Sequence, residues 1–474
     1  MSSKRRRRAL ARSGAAVVAT AVALTAVTPV AMAGTTSPMD GVWRTEGYGS
    51  VMAIEHGRLM SYQTTAISCL PWFSARQTGP AVPGGKVTFT TEDHQVFTLW
   101  REARPGHARA HLDGSPGDRL LRRTAALPPL CAKPTPKDPL TTFDIYWQTF
   151  AENYPFFAAK GIDWQQVRDR YRPQVNAGTT DARLLTILSD MIAPLNDAHT
   201  GLVAGSKVIY HVRPGTAMPS PEYDQRVKSF IQRRDLSGPL QEFAHGRIGY
   251  ADLPHHLGYL RISGFTGYTD ANDFAANSAE LARTLDAVLT PARAKGPDAL
   301  RGLILDLRVN GGGDDSLGLQ IAARLTGRPY TAYAKRVRND PRDPSRFTTP
   351  QPIRVRPAHA PNYRGPVALL TGGSTFSAGE TFTQALMDRT PRPTRIGENT
   401  QGVFSDILDR SLPNGWAFGL PNEEFLTRDG RTFDGAGIPP DVRTPVFTEQ
   451  EFAQNRDSSF DRAVARLTRR QPGT

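Results

Sequence analysis

Cysteine is scarce in this chain of 474 residues: only Cys69 and Cys131 are present. Neither has a His or Asp pattern beside it, which argues against a catalytic thiol, and no zinc-ligand spacing can be drawn. Downstream of residue 33 no apolar tract is long enough to span a bilayer. The phosphate-cradling signatures GxxxxGK[ST] and GxGxxG are missing, which weighs against nucleotide binding. No basic cluster with interleaved aromatics and no recognition-helix pattern occurs. The formal charge of +13, six of whose Lys and Arg fall in residues 1–33, therefore reads as a solvated surface and not as a nucleic-acid site.

What remains is ordinary globular composition, 39% hydrophobic and 22% charged, at a length that suits two or three domains. Residues 1–33 read as an export signal: Lys4 to Arg8 and Arg12 are basic, Ala15 to Val27 is apolar, and Ala31-Met32-Ala33 is a small-residue cleavage site before Gly34. The rival is an uncleaved anchor. In an exported chain an even cysteine count suggests a Cys69–Cys131 disulfide, with two separate buried thiols as the alternative. Residues 34–132 alternate in short strands such as Ser50–Glu55, Leu59–Thr64 and Gln95–Arg101, separated by glycine turns, and predict a small barrel or sandwich. A proline-rich linker follows, Pro128 to Pro139. Residues 133–215 are mainly helical, with helices over Asp144–Tyr154 and Ala182–Ile192, although the stretch 203–245 is hard to read. Residues 216–474 alternate strand and helix and predict a mostly parallel, covered sheet.

Four segments carry chemistry. Leu369 to Glu380 is an apolar strand, a small-residue turn and a serine, Ser377, at the start of a helix. A nucleophilic hydroxyl suits that place because amide donors and the helix dipole lie beside it; a plain helix cap is the alternative. Ile304 to Gly313 is a buried strand running into Gly311-Gly312-Gly313, whose amides could face an anion or simply make a turn. Leu195 to Leu202 sets His199 before a Thr-Gly turn, and histidine is the usual base for a serine hydroxyl. Thr432 to Asp441 flanks a carboxylate with glycines and prolines, and either Asp434 or Asp441 could orient the base.

In this order the four segments resemble the serine peptidases that include the tail-specific (C-terminal processing) proteases and the tricorn core, whose fold is shared by interphotoreceptor retinoid-binding repeats. The resemblance spans about residues 136–445 and includes Asn153-Tyr154-Pro155-Phe156-Phe157 and Gly161 to Trp164. It implies an α/β fold, a crotonase/ClpP-like spiral core with a helical subdomain, here preceded by the small all-β domain. One branch of the family uses a Ser–Lys dyad. Asn399 stands where that Lys would be, and no Lys follows Lys335. The resemblance thus implies the other branch: Ser377 as nucleophile, His199 as base, Asp434 as orienting carboxylate, and the amides of Gly311 or Gly312 and of Ala378 as oxyanion donors. Asp434 replaces the usual Glu, and Ala198 replaces a Ser that precedes the His in tricorn. The peptide-binding module often inserted in this family is absent, since residues 203–245 are too few for it. The implied activity is hydrolysis of peptide or protein substrates through an acyl-enzyme, without metal or cofactor. The alternatives are a peptide- or hydrophobic-ligand-binding protein on the same scaffold, and an esterase or acyl transferase using the same groups.

Overall fold

The computed structural model describes residues 37–80, 85–296 and 298–469; the export signal expected over residues 1–33 lies outside them. Eight antiparallel strands come first: Gly41–Thr45, Ser50–Glu55, Arg58–Thr64, Cys69–Gln77, Val87–Thr91, Val96–Arg101, His107–Leu112 and Arg119–Thr124. Each pairs with the next, and the last pairs with the first to close a barrel. Closure leaves no unpaired edge. Every second side chain points inward, and Trp43, Met52, Leu59, Phe89, Phe97, Leu99 and Leu121 fill the interior. Cys69 opens the fourth strand and forms a disulfide with Cys131 in the turn Pro129–Ala132, so the proline-rich linker is tied back to the barrel wall.

Two helices follow at the expected places. Pro139–Asn153 is capped by Asp138, whose side chain accepts the Thr141 amide, and Asp181–Ile192 is capped by Thr180. Their apolar faces, with Phe143, Tyr146, Phe150, Leu184 and Leu188, pack on a four-stranded sheet through Leu202, Leu408, Phe418 and Leu420. That sheet has the order Lys207–Tyr210, Gly201–Ala204, Ala417–Pro421, Ile407–Ser411. It takes two strands from each side of the boundary expected at residue 215, so the helical subdomain and the core interlock.

The core is a seven-stranded sheet in the order Gln241–Phe243, Ile248–Leu253, Leu257–Ile262, Gly302–Asp306, Val367–Thr371, Thr394–Gly397, Val442–Arg443. From Leu257–Ile262 onward every neighbour is parallel. The connections carry the helices Phe274–Val288, Asp315–Arg324 and Ala378–Ala385. This is the α/β spiral, and its central strands are buried end to end: Leu303, Ile304, Leu305, Ala368, Leu369 and Leu370 are all inaccessible. Arg308, just past one strand, is buried between Asp306 at 2.7 Å and Asp457 at 2.6 Å and ties the C-terminal segment to the sheet.

The barrel docks on this core by specific polar contacts. The Tyr48 hydroxyl donates to Glu423, Ser115 donates to Asp406 at 2.6 Å, and the Gly47 amide donates to Asn339 at 2.7 Å. Gln63 exchanges two hydrogen bonds with the Ser411 backbone. Among the described residues no helix is long and apolar enough to cross a membrane.

Candidate active site

The carboxyl ends of the parallel strands are where a covered sheet leaves room for a site, and four loops meet there. The loop after Val367–Thr371 is pinned first. Thr375 donates its hydroxyl to the Leu307 carbonyl at 2.7 Å and accepts the Gly372 amide at 3.0 Å. Phe376 donates its amide to the Asn310 carbonyl at 3.0 Å. A two-residue parallel ladder, Val309–Asn310 against Ser374–Thr375, completes the attachment. These bonds force Ser377 to φ +53°, ψ −119°, a conformation that costs an L residue roughly 1–3 kcal/mol. Ser377 is half-buried while residues 374–376 and 378–386 around it are buried. Its position is the N-cap of Ala378–Ala385, and the Ala378 amide, as the first of the helix, has no carbonyl of its own helix to bond.

The glycine loop meets this turn at contact distance. Gly312 sits at φ +75°, and a Cβ there would fall 2.6 Å from the Ser377 Cβ, 3.1 Å from its Oγ and 3.2 Å from the Ala378 amide nitrogen. The sequence reading expected the amides of Gly311 and Gly312 to serve as anion donors. Both are engaged within the protein, Gly311 to the Ser263 carbonyl at 3.1 Å and Gly312 to Asn310 Oδ1 at 3.0 Å. The glycines serve close approach, and among these three groups the Ala378 amide is the one at a helix start.

His199 comes in from the helical subdomain. Asp197 shapes its turn, accepting the His199 amide on Oδ1 at 3.1 Å and the buried Tyr154 hydroxyl on Oδ2 at 2.8 Å. The imidazole is 2% exposed and stands edge-on to Phe376, ring centroids 5.0 Å apart. The structure therefore brings His199 beside the residue that precedes Ser377. Among the described residues no hydrogen bond joins His199 to Ser377, and Nδ1 is buried without a partner. Burial pushes the imidazole pKa below its usual value, against the pull of Asp197, Asp406 and the Ser405 carbonyl, so the ring is neutral at pH 7.

The two candidate carboxylates separate. Asp441 pairs with Arg395 at 2.7 Å and Arg392 at 3.1 Å, beside the strand Thr394–Gly397. Asp434 accepts the Phe404 amide at 3.2 Å and the Thr432 hydroxyl. Burial raises its pKa well above the carboxylate range, helped by nearby Asp197 and Glu380. No hydrogen bond from Asp434 to His199 is present among the described residues; the Phe404–Ser405 segment stands between them in the bonding order. Asn399 lies between Ala436 and Arg443, bonded to both. Sequence reasoning gave no role to Glu380, whose buried carboxyl receives the amides of Ser377, Gly402 and Val403. The only signal was its spacing three residues after Ser377, which reads as a capping box.

Comparisons with known proteins give two matched segments and a likeness of fold. Residues 256–444 match peptidase family S41, and residues 136–193 match the tricorn protease C1 domain. No curated protein matches the sequence. A crystal structure from Parabacteroides merdae, provisionally described as a peptidase, is 24% identical with a TM-score of 0.56, over 71% of this chain and 98% of its own. Mature CPAF is 13% identical with a TM-score of 0.52, over 70% of this chain and 97% of its own. Both likenesses are of fold. The matched segments contain the serine turn, the glycine loop and the entry helices, so over those residues the chain is similar to peptidase family S41 and to the tricorn C1 domain.

Proposed function

We propose that the chain is an exported serine peptidase in which Ser377 is the nucleophile, His199 the general base and Asp434 the orienting carboxylate. The observation that carries the reading is the forced backbone of Ser377, which holds this half-buried serine at a helix start against Gly312. Strain of this kind persists only where the surroundings impose it, and it favours a functional role for the residue.

The chemistry follows from the groups present. His199, kept neutral by burial, takes the proton as Ser377 Oγ attacks the carbonyl carbon. The hydrogen bond between the two is not formed among the described residues and has to form with substrate, in keeping with catalytic hydrogen bonds that tighten only in the complex. Negative charge develops on the carbonyl oxygen next to the Ala378 amide. Removing one such donor typically costs about 3–4 kcal/mol of barrier. His199 then returns the proton to the leaving amine as the C–N bond breaks, and water hydrolyses the acyl-enzyme. Asp434 acts on the base through the Phe404–Ser405 segment, accepting the Phe404 amide while the Ser405 carbonyl faces the imidazole. Export is supported by the Cys69–Cys131 disulfide, a bond that persists in oxidising compartments.

The test is labelling by a fluorophosphonate, located by peptide mapping. The expected result is modification of Ser377, with Ser377→Ala folded, unlabelled and without peptidase turnover. A wild-type chain that takes no label under conditions that label a related active peptidase would favour a binding protein on this scaffold. The lack of a His199–Asp434 hydrogen bond is the observation on that side.

A further inference from the structure

We propose that Glu380 is a positioning residue of the active centre, a buried carboxylate that locks the nucleophile turn to the segment on which His199 and Asp434 bear. This rests on the peptidase reading above.

The geometry is that of a clamp with three arms. Glu380 is fully buried on the first turn of the helix that follows Ser377. Oε2 accepts the Ser377 amide at 3.3 Å and the Val403 amide at 2.8 Å, while Oε1 accepts the Gly402 amide at 2.6 Å. The Thr400 hydroxyl is a further donor. The clamped segment continues directly into the contacts of the other two groups: Phe404 donates to Asp434, and the Ser405 carbonyl faces the imidazole. Gly402 also holds the Asp434 loop, accepting the Gly435 amide at 2.8 Å. One side chain thus spans from the nucleophile's own amide to within two residues of the partners of both His199 and Asp434. Two charged groups face it from other elements. Arg213 reaches across to the carbonyls of Thr400 at 2.6 Å and Gln401 at 3.0 Å, and Asp434 is near enough for the two carboxyls to repel.

A structural carboxylate could do all this and leave catalysis alone, so the titration of the group matters. Ionised, it satisfies every donor that points at it. Protonated, it must place an O–H among donors, and bonds to the turn or the segment are lost. Burial, opposed by the hydrogen bonds from Thr400, Val403, Gly402 and Ser377, brings its pKa to about 7. The lock therefore closes as pH rises through neutrality, while the base His199 loses its proton at a pH below its ordinary 6.5. The acid limb of reactivity should contain, above the ionisation of His199, an upper one near pH 7 that belongs to Glu380.

The experiment measures the rate of fluorophosphonate labelling of Ser377 from about pH 5 to 9, in the intact disulfide-bonded chain. Wild type, Glu380→Gln and Thr400→Val are compared, with melting curves for each. Glutamine keeps the shape and has no charge to desolvate, so Glu380→Gln is expected to fold. It should lose the upper ionisation and label about 10²-fold more slowly at pH 8, the scale of a misplacement near 1 Å. Thr400→Val, which removes a donor from the carboxylate, should move the upper ionisation to higher pH. Labelling of Glu380→Gln at wild-type speed with both ionisations intact overturns the proposal. If that variant does not fold, an unmoved upper ionisation in Thr400→Val overturns it instead. A wild-type chain that never labels defeats the peptidase reading itself, and this proposal falls with it.

Discussion

At position 312 even a methyl group would have to share space with Ser377, 2.6 Å from its Cβ, on a backbone at φ +75° that L residues rarely adopt. Gly312→Ala should therefore displace the nucleophile turn while leaving the distant packing intact. The expected outcome is a loss of about 10²-fold in kcat/KM with the barrel and helical subdomain still folded, checked by steady-state kinetics beside a melting curve. This residue also marks how far the site was legible. A serine after an apolar strand and small residues, and three glycines after another, are local patterns, and both segments lie where the patterns put them. The uses of individual amides were not legible, because whether Gly311 donates to a substrate or to Ser263 depends on a strand far away in sequence. Glu380 was hidden for a related reason. Its spacing from Ser377 explains it fully as a cap, and its bonds to Gly402 and Val403 exist only in the folded chain. The same holds for Asp197, which sits two residues before His199 and is defined by its bond to Tyr154.

Among the elements, the strand Cys69–Gln77 and the turn Pro129–Ala132 are joined by the disulfide across 62 residues of sequence. Closing a loop of that length restricts the unfolded chain by about 4 kcal/mol in the chain-entropy picture. Replacing both cysteines with serine should lower the urea midpoint accordingly, with labelling of Ser377 unchanged below the transition. A variant of unaltered midpoint would mean that the unfolded chain is not restrained by the bond. Cys69–Gln77 was also one of two barrel strands absent from the sequence reading. It contains Pro71, which is tolerated beside an irregularity in its pairing with Arg58–Thr64. The other, Arg119–Thr124, carries three arginines and shows little apolar alternation, yet closes the barrel against Gly41–Thr45. The helix Pro221–Arg234 was unreadable because it buries little more than Val227, Phe230 and Ile231. In each case tertiary pairing supplies what local pattern lacks.

At the scale of the molecule, the seam between barrel and core encloses a buried charge cluster. Lys335 lies 3.2 Å from Glu423 and 3.8 Å from Asp406, and these two acids accept Tyr48 and Ser115 from the barrel. Burial works against the ammonium charge, but Glu423, Tyr48 and Asp406 outweigh it and hold the lysine protonated. Lys335→Met would leave the Glu423 carboxylate buried without its cation, a loss on the order of 3–5 kcal/mol. Chemical unfolding of that variant should show it, and a change below about 1 kcal/mol would mean that the cluster admits water.

The groups proposed for catalysis are drawn from residues 199 to 434, whereas every barrel strand precedes residue 125. A polypeptide that emerges amino end first can finish its barrel while the last partners of Ser377 are still to come. On the proposed reading, hydrolytic power is then withheld until the segment carrying Asp434 has been made, long after the barrel strands, which spares whatever machinery is threading the chain.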